Sequence, residues 1–264
     1  PGVLSGTLSG NIQGTFLLNG TNSVAASTTA TNALAGTGIL MESGTIQGGG
    51  KFINETIFTI NTNAAKYFTI GLFQNKGTFN LGMGTNINNV VYLSNSTIFE
   101  NSTQGVVNAQ GITFYNNGAH TVRNFGTFKK LGDFEEDFNS FFTNEGTFQV
   151  DKGTLRLNGT NILRTGTFNV AEGAILDLGG SNTISGVWTG EVNGKLFLNG
   201  TNTVAENITI TNQILGNGIT MNSGYVSGAG TFLNKSIFTA GTNGSKYFTI
   251  ANFENEGIFN LGEG

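Results

Sequence analysis

The chain contains no cysteine, one proline and one histidine. Without cysteine, disulfides, thiolate metal sites and cysteine nucleophiles are all excluded. A single histidine cannot supply a metal site built from several histidines. Only 11% of the 264 residues are charged, against about 25% in ordinary soluble domains. The polar surface must therefore be built from Asn, Thr, Ser and Gly.

Positive charge is scarce, with 12 Lys and Arg against 16 Asp and Glu and a net charge of −4. Nucleic-acid binders cluster Lys and Arg to neutralise phosphates, so we expect no nucleic-acid partner. No apolar run approaches the ~18 residues of a membrane helix, so we expect no membrane segment. No signal segment opens the sequence, and a secreted protein would carry its targeting signal outside it.

Glycine and phenylalanine are abundant, at 41 and 22 residues. With so little proline, this composition does not indicate a disordered Pro/Gly-rich chain, and the glycines are expected in turns. Phenylalanine, together with many Ile, Leu, Val and Thr residues, favours strands with one buried face. The composition therefore predicts an all-β protein.

A long internal repeat organises the sequence. Residues 1–84 recur as residues 181–264 without a gap, and 42 of the 84 aligned positions are identical. We therefore expect a single continuous domain over residues 1–264, with residues 1–180 as one unit and residues 181–264 as the start of the next. Neither end resembles a polar cap, which predicts that the sequence belongs to a longer array or that copies join end to end.

A shorter period lies inside the unit. Aromatic residues stand 20 residues apart, three of them in Gly-Thr-Phe, at Phe128, Phe148, Phe168 and Trp188. Steps of 21 and 20 residues continue the register upstream at Phe58, Phe79 and Phe99, and Phe238 to Phe259 repeats the step of 21. The spacing predicts that one aromatic position recurs on successive coils.

Within each coil, apolar and polar residues alternate, and Gly and Asn interrupt the alternation. This is the period of half-buried strands, and no stretch holds the helical period over three turns. An antiparallel sandwich and a parallel β-solenoid both have short strands. Only the solenoid explains the even aromatic spacing, because equivalent residues stack about 4.8 Å apart. We predict a right-handed parallel β-helix of about 20 residues per coil and roughly 12 coils.

The Gly-Thr-Phe coils, the turns of the type Leu-Xaa-Leu-Asn-Gly-Thr-Asn and the long degenerate repeat resemble the passenger repeats of large bacterial surface adhesins of the filamentous-haemagglutinin and autotransporter type. The resemblance covers the whole chain and lies in the sequence pattern of its coils and turns. It implies a secreted right-handed parallel β-helix that acts as an adhesin or fibre. No catalytic residue carries over from it.

Asn161, Asn182 and Asn202 fall at equivalent turns, each after Thr or Ser. Stacked asparagine amides can bond to the amides above and below, which predicts an asparagine ladder that satisfies buried turn groups. The alternative is a surface role for these turns, such as glycan binding. The phenylalanine rings are expected in the core, since carbohydrate stacking would need exposed rings.

The densest charge is the segment Asp133-Phe134-Glu135-Glu136-Asp137. Asp133, Glu135, Glu136 and Asp137 could supply oxygen ligands to calcium. The alternation with Phe134 and Phe138 instead favours strand residues that point outward into solvent. Both interpretations stay open from the sequence.

Other candidates for chemistry are weak. Catalytic carboxylates need two acids across one substrate bond, and near the acidic segment only Asp151, Lys152 and Arg123 are available, without clear alignment. His120 is expected in a loop of a long coil. A turn is expected at residues 48–50, and Phe52 after Lys51 does not continue a phosphate-binding loop. The sequence therefore predicts no catalytic, cofactor or metal-binding residues and no enzyme.

The favoured hypothesis is a structural or adhesive segment of a long extracellular bacterial fibre or surface protein. The expected partners are neighbouring copies or repeats of the chain itself, with surface glycans as a further possibility. The alternative is a β-helix that binds or cleaves polysaccharide. A binding or cutting site should be a singular feature, and residues 100–123 and 189–237, the long coils, are where one is expected.

Overall fold

A computed structural model describes residues 2–61, 64–82, 91–94, 96–110, 114–117 and 120–262, with the backbone alone at 115–117. These residues divide into two compact units, at 1–132 and 133–264. The described parts are all-β and contain no helix. They accordingly include no helix long and apolar enough to cross a membrane.

The first unit contains sixteen strands among its described residues. They are β1 (Gly2–Val3), β2 (Gly6–Ile12), β3 (Phe16–Leu17), β4 (Thr21–Ser23), β5 (Thr29–Gly36), β6 (Ile39–Met41), β7 (Gly44–Asn54), β8 (Ile57–Ile60), β9 (Lys66–Asn75), β10 (Thr78–Leu81), β11 (Val91–Ser94), β12 (Ile98–Asn101), β13 (Val106–Ala109), β14 (Phe114–Asn117), β15 (Thr121–Asn124) and β16 (Thr127–Lys130).

The second unit follows the same plan. Its strands are β17 (Glu135–Phe138), β18 (Phe141–Asn144), β19 (Thr147–Val150), β20 (Thr154–Leu157), β21 (Thr160–Leu163), β22 (Gly166–Val170), β23 (Ile175–Asp177), β24 (Ser181–Ile184), β25 (Gly186–Thr189), β26 (Glu191–Val192), β27 (Lys195–Phe197), β28 (Thr201–Thr203), β29 (Thr209–Asn212), β30 (Leu215–Gly216), β31 (Ile219–Met221), β32 (Gly224–Asn234), β33 (Ile237–Ala240), β34 (Lys246–Asn255) and β35 (Ile258–Leu261).

Parallel pairing joins strands of successive coils into three ladders in each unit. In the first unit the ladders are β1-β4-β7-β9-β11-β14, β2-β5-β7-β9-β12-β15 and β3-β6-β8-β10-β13-β16. In the second, one ladder is β17-β20-β23-β27-β31-β33-β35, and β18-β21-β24-β28 and β19-β22-β25-β29 both run into the long β32 and β34. Each unit is thus a parallel β-solenoid.

The predicted fold class is confirmed: the chain has about 11 coils with a spacing of about 21 residues. Strands form because apolar and polar residues alternate, and each strand turns every second side chain inward. In β15, β16 and β19 partly exposed residues alternate strictly with buried ones. The right-handed sense and the continuity of one domain over residues 1–264 stay predictions.

Phenylalanine rings fill the core, as expected. Phe58 lies in register with Phe79, with ring centroids 5.5 Å apart, and Phe148 with Phe168 at 6.1 Å. Phe238 likewise stacks on Phe259 at 5.6 Å. All of these rings except Phe259 are fully buried.

The predicted register is wrong at two positions. Phe99 pairs with Phe73 on a different ladder, and Val107 takes the place beside Phe79. Trp188 pairs with Gly166, two residues before Phe168, although its ring still lies 4.9 Å from the Phe168 ring. The two errors have different causes. Phe99 is misplaced because strands of two ladders carry inward aromatics, and spacing alone does not tell which ladder a residue joins. Trp188 stays on the ladder of Phe168, but the two strands pair at an offset of 22 residues and not 20.

The predicted asparagine ladder is confirmed. The Asn161 amide donates to the Asn182 side-chain oxygen and the Asn182 amide to Asn202, both at 2.8 Å, and all three residues are buried. Because they are buried, the alternative surface role for these three side chains is wrong. Asn182 Nδ2 also donates to the Leu178 carbonyl at 3.0 Å, so the ladder satisfies turn backbone as well.

A second asparagine ladder, which the sequence analysis missed, runs through the first unit. Amide-to-oxygen bonds of 2.7 to 2.8 Å link Asn32, Asn54, Asn75, Asn101 and Asn124 in that order. Its repeat in the second unit links Asn212, Asn234 and Asn255 at 2.8 and 2.7 Å. We call these two series together the inner asparagine column. Asn-Xaa-Gly-Thr-Phe or a close variant marks most of its positions.

The glycines at 48–50 do not form the expected turn. They lie inside β7, where the register against β9 shifts between Gly48 and Lys51. Gly48 has a φ of 109°, and a Cβ there would lie 2.1 Å from the Val24 carbonyl oxygen. Only glycine allows this bulge, which divides one long strand between two ladders.

Candidate interaction surface

The acidic segment does not present all of its carboxylates to solvent. Glu135 and Asp137 are exposed, whereas Glu136 is buried and Phe134 is 39% exposed. The interpretation that all of these carboxylates point outward is therefore wrong for Glu136, because β17 turns Glu136 and Phe138 to the same inward face. Of the four candidate calcium ligands, Glu136 points away from the other strand carboxylates.

Arg156 neutralises the outward carboxylates of this segment. Its guanidinium makes two hydrogen bonds to the Glu135 carboxylate, at 2.8 and 3.2 Å. Asp137, Arg156 and Asp177 are register neighbours on three successive strands, and the guanidinium lies 3.8 Å from Asp137 and 3.9 Å from Asp177. This arrangement is a carboxylate, guanidinium and carboxylate row on the outer face of the second unit.

The pKa values of this row follow from its contacts. The Arg156 hydrogen bond lowers the pKa of Glu135 and raises that of Arg156. Burial raises the pKa of Asp177, and the 3.0 Å hydrogen bond from Asn199 opposes that shift. The charges of the row are thus internally paired, which makes it a cross-strand ion network of modest stabilising effect.

No group of three or more His, Asp or Glu side chains suited to a metal ion occurs in the described part of the chain. Asp133, the remaining candidate ligand, faces Lys152 at 4.0 Å. The carboxylates considered for calcium are therefore occupied by basic partners or directed inward. This surface offers no built cation site.

The other sequence candidates are dispersed. His120 lies outside any strand, directly before β15, and is buried. Residues 111–113, 118 and 119 of that long coil lie outside the described residues. Arg123 belongs to the first unit, in register with Glu100. Asp151 and Lys152 belong to the second, after β19. The structure gives no grouping of these side chains.

Asp151 does line a shallow depression of about 260 Å³ in the second unit. Its carboxylate accepts a 2.9 Å hydrogen bond from Gln149, and Glu191 lies on the same wall, with its backbone N–H donating to Asn169 at 3.1 Å. The remaining walls are formed largely by asparagine amides and small apolar groups. Asp151 and Glu191 are 40 residues apart along the chain, so their proximity was not predicted from the sequence.

Exposed tyrosines form the most distinctive surface feature. In the first unit Tyr67 pairs with Tyr92, and the rings stack 4.9 Å apart at 11°. In the second unit Tyr225 pairs with Tyr247, at 4.6 Å and 13°. Tyr67 is 38% and Tyr225 43% exposed although each has a neighbouring strand on both sides. We call these positions, with Tyr115 paired to Tyr92, the tyrosine column.

The tyrosine column was not predicted, because the aromatic period in the sequence is that of phenylalanine, which packs inward. The signal was available: Lys-Tyr-Phe-Thr-Ile occurs at the same place in both copies of the repeat, as 66–70 and 246–250. Alternation then turns Phe inward and Tyr outward.

No protein-family model matches the chain, and neither the curated proteins nor the solved structures contain a match to it.

Proposed function

We propose that this chain is a structural and adhesive segment of a long extracellular fibre or surface protein, of bacterial origin. The observation that supports the proposal is that both copies of the repeat build the same kind of coil and share many of the same side-chain bonds. A fibre needs many equivalent coils, whereas a catalytic centre needs one singular cluster.

The equivalence extends to individual hydrogen bonds. Asn19 Oδ1 accepts the backbone N–H groups of residues 42 and 43, and Asn199 Oδ1 accepts those of residues 222 and 223, at 2.9 to 3.3 Å. Asn32 donates to Asn54 at 2.7 Å, and their counterparts Asn212 and Asn234 are 2.8 Å apart. The strand bulge at residues 48–51 returns at residues 228–231. The repeat therefore preserves architecture at the level of single contacts.

Stacked coils also suit a mechanical role. Backbone hydrogen bonds in a solenoid run from coil to coil, and each asparagine ladder adds a parallel series of buried side-chain bonds. A longer array of such units would resist unwinding along its whole length. Its partners would be neighbouring copies or repeats, and its surface of hydroxyl and amide groups could meet glycans on another cell.

The alternative is a β-helix that binds or cleaves polysaccharide. The tyrosine column favours the binding form, since partly exposed aromatic rings are amphipathic contact groups. The binding form is compatible with a fibre, because an adhesin must hold something. The cleaving form would release new chain ends from polysaccharide incubated with the protein, and the fibre proposal predicts none.

Changing the number of repeats tests the proposal. In the native full-length protein on its cell, deletion of one 180-residue unit should shorten the surface fibre by about eight strand spacings of ~4.8 Å, roughly 38 Å. Duplication of the same unit is the matched control and should lengthen the fibre equally. Electron microscopy of labelled fibre ends measures both. A fibre length that does not depend on repeat number would contradict the proposal.

A further inference from the structure

The five tyrosines of the chain fall into one column of paired positions in each unit. The register links Tyr67, Tyr92 and Tyr115 in the first unit and Tyr225 to Tyr247 in the second. Threonines precede them in the same columns, at Thr45 beside Tyr67 and at Thr201 beside Tyr225. Phenylalanine is more than four times as common, yet in the pairings of the described residues none stands opposite one of these tyrosines. Within each unit tyrosine is therefore confined to one column of register positions.

Core packing does not explain this confinement. Tyr67 and Tyr225 keep 38% and 43% of their surface exposed. Among the described residues no hydrogen bond engages the phenol hydroxyls of Tyr67, Tyr225 or Tyr247, whose interactions are the ring stacks. Each ring thus offers an apolar body and a polar tip to the outside, which is the form that tyrosine takes at binding surfaces.

A row of small polar groups runs beside the rings. Two residues further along each strand, and so on the same outward face, lie Ser23, Gln47 and Thr69 in the first unit and Thr203, Ser227 and Thr249 in the second. Gln47 donates to Ser23 at 3.1 Å, and the Thr203 and Ser227 hydroxyls are 3.4 Å apart. These groups both donate and accept hydrogen bonds.

The surface that combines these rows is uncharged. The outward residues of the paired segments 45–47, 67–69, 225–227 and 247–249 include no Asp, Glu, Lys or Arg. A charged ligand would lose solvation at this surface without gaining an opposite charge. A neutral ligand does not have this cost, so the surface favours a neutral ligand. Aromatic rings beside hydroxyl groups match a sugar ring, which has an apolar C–H face and a rim of hydroxyls.

We propose that the tyrosine column is a binding platform for a neutral polysaccharide. The sugar rings pack against the exposed faces and edges of the tyrosines, and their hydroxyls bond to the adjacent serine, threonine and glutamine side chains. Because the column follows successive coils, it fits an extended polymer better than a single sugar. The inference rests on the adhesive function proposed above and names the class of its ligand.

The test replaces the tyrosines by the residue that the column itself contains. The variant Tyr67→Thr, Tyr92→Thr, Tyr225→Thr, Tyr247→Thr keeps a strand-forming residue at each position, as at Thr45 and Thr201. Phe134→Thr, which removes an exposed aromatic outside the column, is the matched control. Circular dichroism and thermal unfolding establish that the variants remain folded.

Binding is measured by isothermal titration calorimetry against soluble neutral β-glucan, galactan and chitin oligosaccharides, with polygalacturonate as the acidic probe. The wild type and the Phe134 variant should bind at least one neutral polymer, and the tyrosine variant should bind it about tenfold or more weakly, which is about 1.4 kcal/mol. Binding to the acidic polymer alone, equal binding by the tyrosine variant, or no binding of neutral polymers by wild type would overturn the proposal.

Sedimentation velocity separates a further outcome. If the tyrosine variant loses self-association and the wild type binds no sugar, the column is an interface between copies of the chain and the glycan proposal is wrong. Fibre length after repeat deletion does not depend on any of these results. The fibre proposal and the glycan proposal therefore fail separately.

Discussion

The side-chain amide of Asn54 donates to the side-chain oxygen of Asn75 across 2.8 Å, with both residues fully buried. Several amides of the inner asparagine column also reach one backbone carbonyl of their own coil and one of the next, as Asn75 does at the carbonyls of Gly77 and Val106. The same pair of bonds is made by Asn54, Asn101 and Asn234. One residue type thus satisfies buried groups on two coils, and the coil geometry depends on it.

Replacing Asn75 by alanine should destabilise the protein by about 2 to 3 kcal/mol. The change removes the bond from Asn54, the bond to the Asn101 side-chain oxygen and the bonds to the Gly77 and Val106 carbonyls. A buried polar group that loses its partner costs about 1 to 3 kcal/mol. Urea unfolding measures the effect. The control is Asn80→Ala on the outer face, where Asn108 donates to Asn80 at 2.9 Å in a partly exposed position; its cost should stay below about 1 kcal/mol. Equal costs would contradict the role of the inner column.

Gly77 follows the asparagine of Asn-Xaa-Gly-Thr-Phe and lies close to the coil below. A Cβ at Gly77 would stand 2.1 Å from the Thr56 carbonyl oxygen, whereas a Cβ at Gly14 would meet nothing within 4 Å. Gly77→Ala should therefore cost about 1 to 3 kcal/mol through overpacking, and Gly14→Ala should lie within about 0.5 kcal/mol of wild type. Thermal unfolding of the pair measures both, and an unaffected Gly77 variant would show that the coils are not so tightly spaced.

Phe148 tests the aromatic core. The ring is fully buried, 5.3 Å from the Phe142 ring and 6.1 Å from the Phe168 ring. Phe148→Ala should lower the free energy of unfolding by about 3 to 5 kcal/mol. Phe134→Ala removes a ring that is 39% exposed and should cost less than about 1 kcal/mol. A similar loss for both variants, measured by urea unfolding, would place Phe148 outside a packed core.

Lys66 should make stability depend on pH. Its side chain is buried, its Nζ donates to the Asn61 carbonyl, and burial lowers its pKa from 10.5 to about 8. Between pH 8 and 10.5 the unfolded chain holds more protons than the folded one, so stability contributed by this group rises with pH in that window. Below pH 8 the full cost of the buried charge is present.

Lys66→Met should therefore stabilise the protein at pH 7, and its advantage should shrink as the pH rises from 8 to 10.5. Lys246→Met is the control, because Lys246 is the repeat counterpart and its partly exposed Nζ donates to the carbonyls of Asn243 and Gly244 at 2.8 Å. Urea unfolding across this pH range checks the difference. An advantage that is constant with pH would mean that Lys66 does not titrate there.

Much of the fold could be predicted from the sequence because the same pattern of apolar and polar side chains recurs on successive coils. Alternation predicted the strands, and the 20-residue step predicted parallel stacking of Phe148 on Phe168. The 20-residue spacing assigned Phe99 to the wrong ladder. Inward aromatic residues occur on two ladders, and their spacing along the chain does not show which ladder each one joins. The bulge at Gly48 could not be predicted from the sequence either, because it depends on how closely the Gly48 backbone approaches Val24 on another coil.

The candidate surface was less accessible to sequence reasoning. Exposure of Tyr67 is decided by which face of the strand turns outward, and that is set by Phe68 entering the core beside it. Likewise, Glu136 points inward because it lies two residues before Phe138 on β17, and the two side chains share one face. Shifts of a single residue reverse the face of every side chain in a strand.

The central claim is that these coils belong to an extended fibre of repeating units. Cryo-electron microscopy of the native protein, purified from its source without truncation, tests it most directly. We expect filaments or long rods with an axial repeat of about 38 Å, the length of eight strand spacings of ~4.8 Å. Compact particles without an axial repeat would contradict the account.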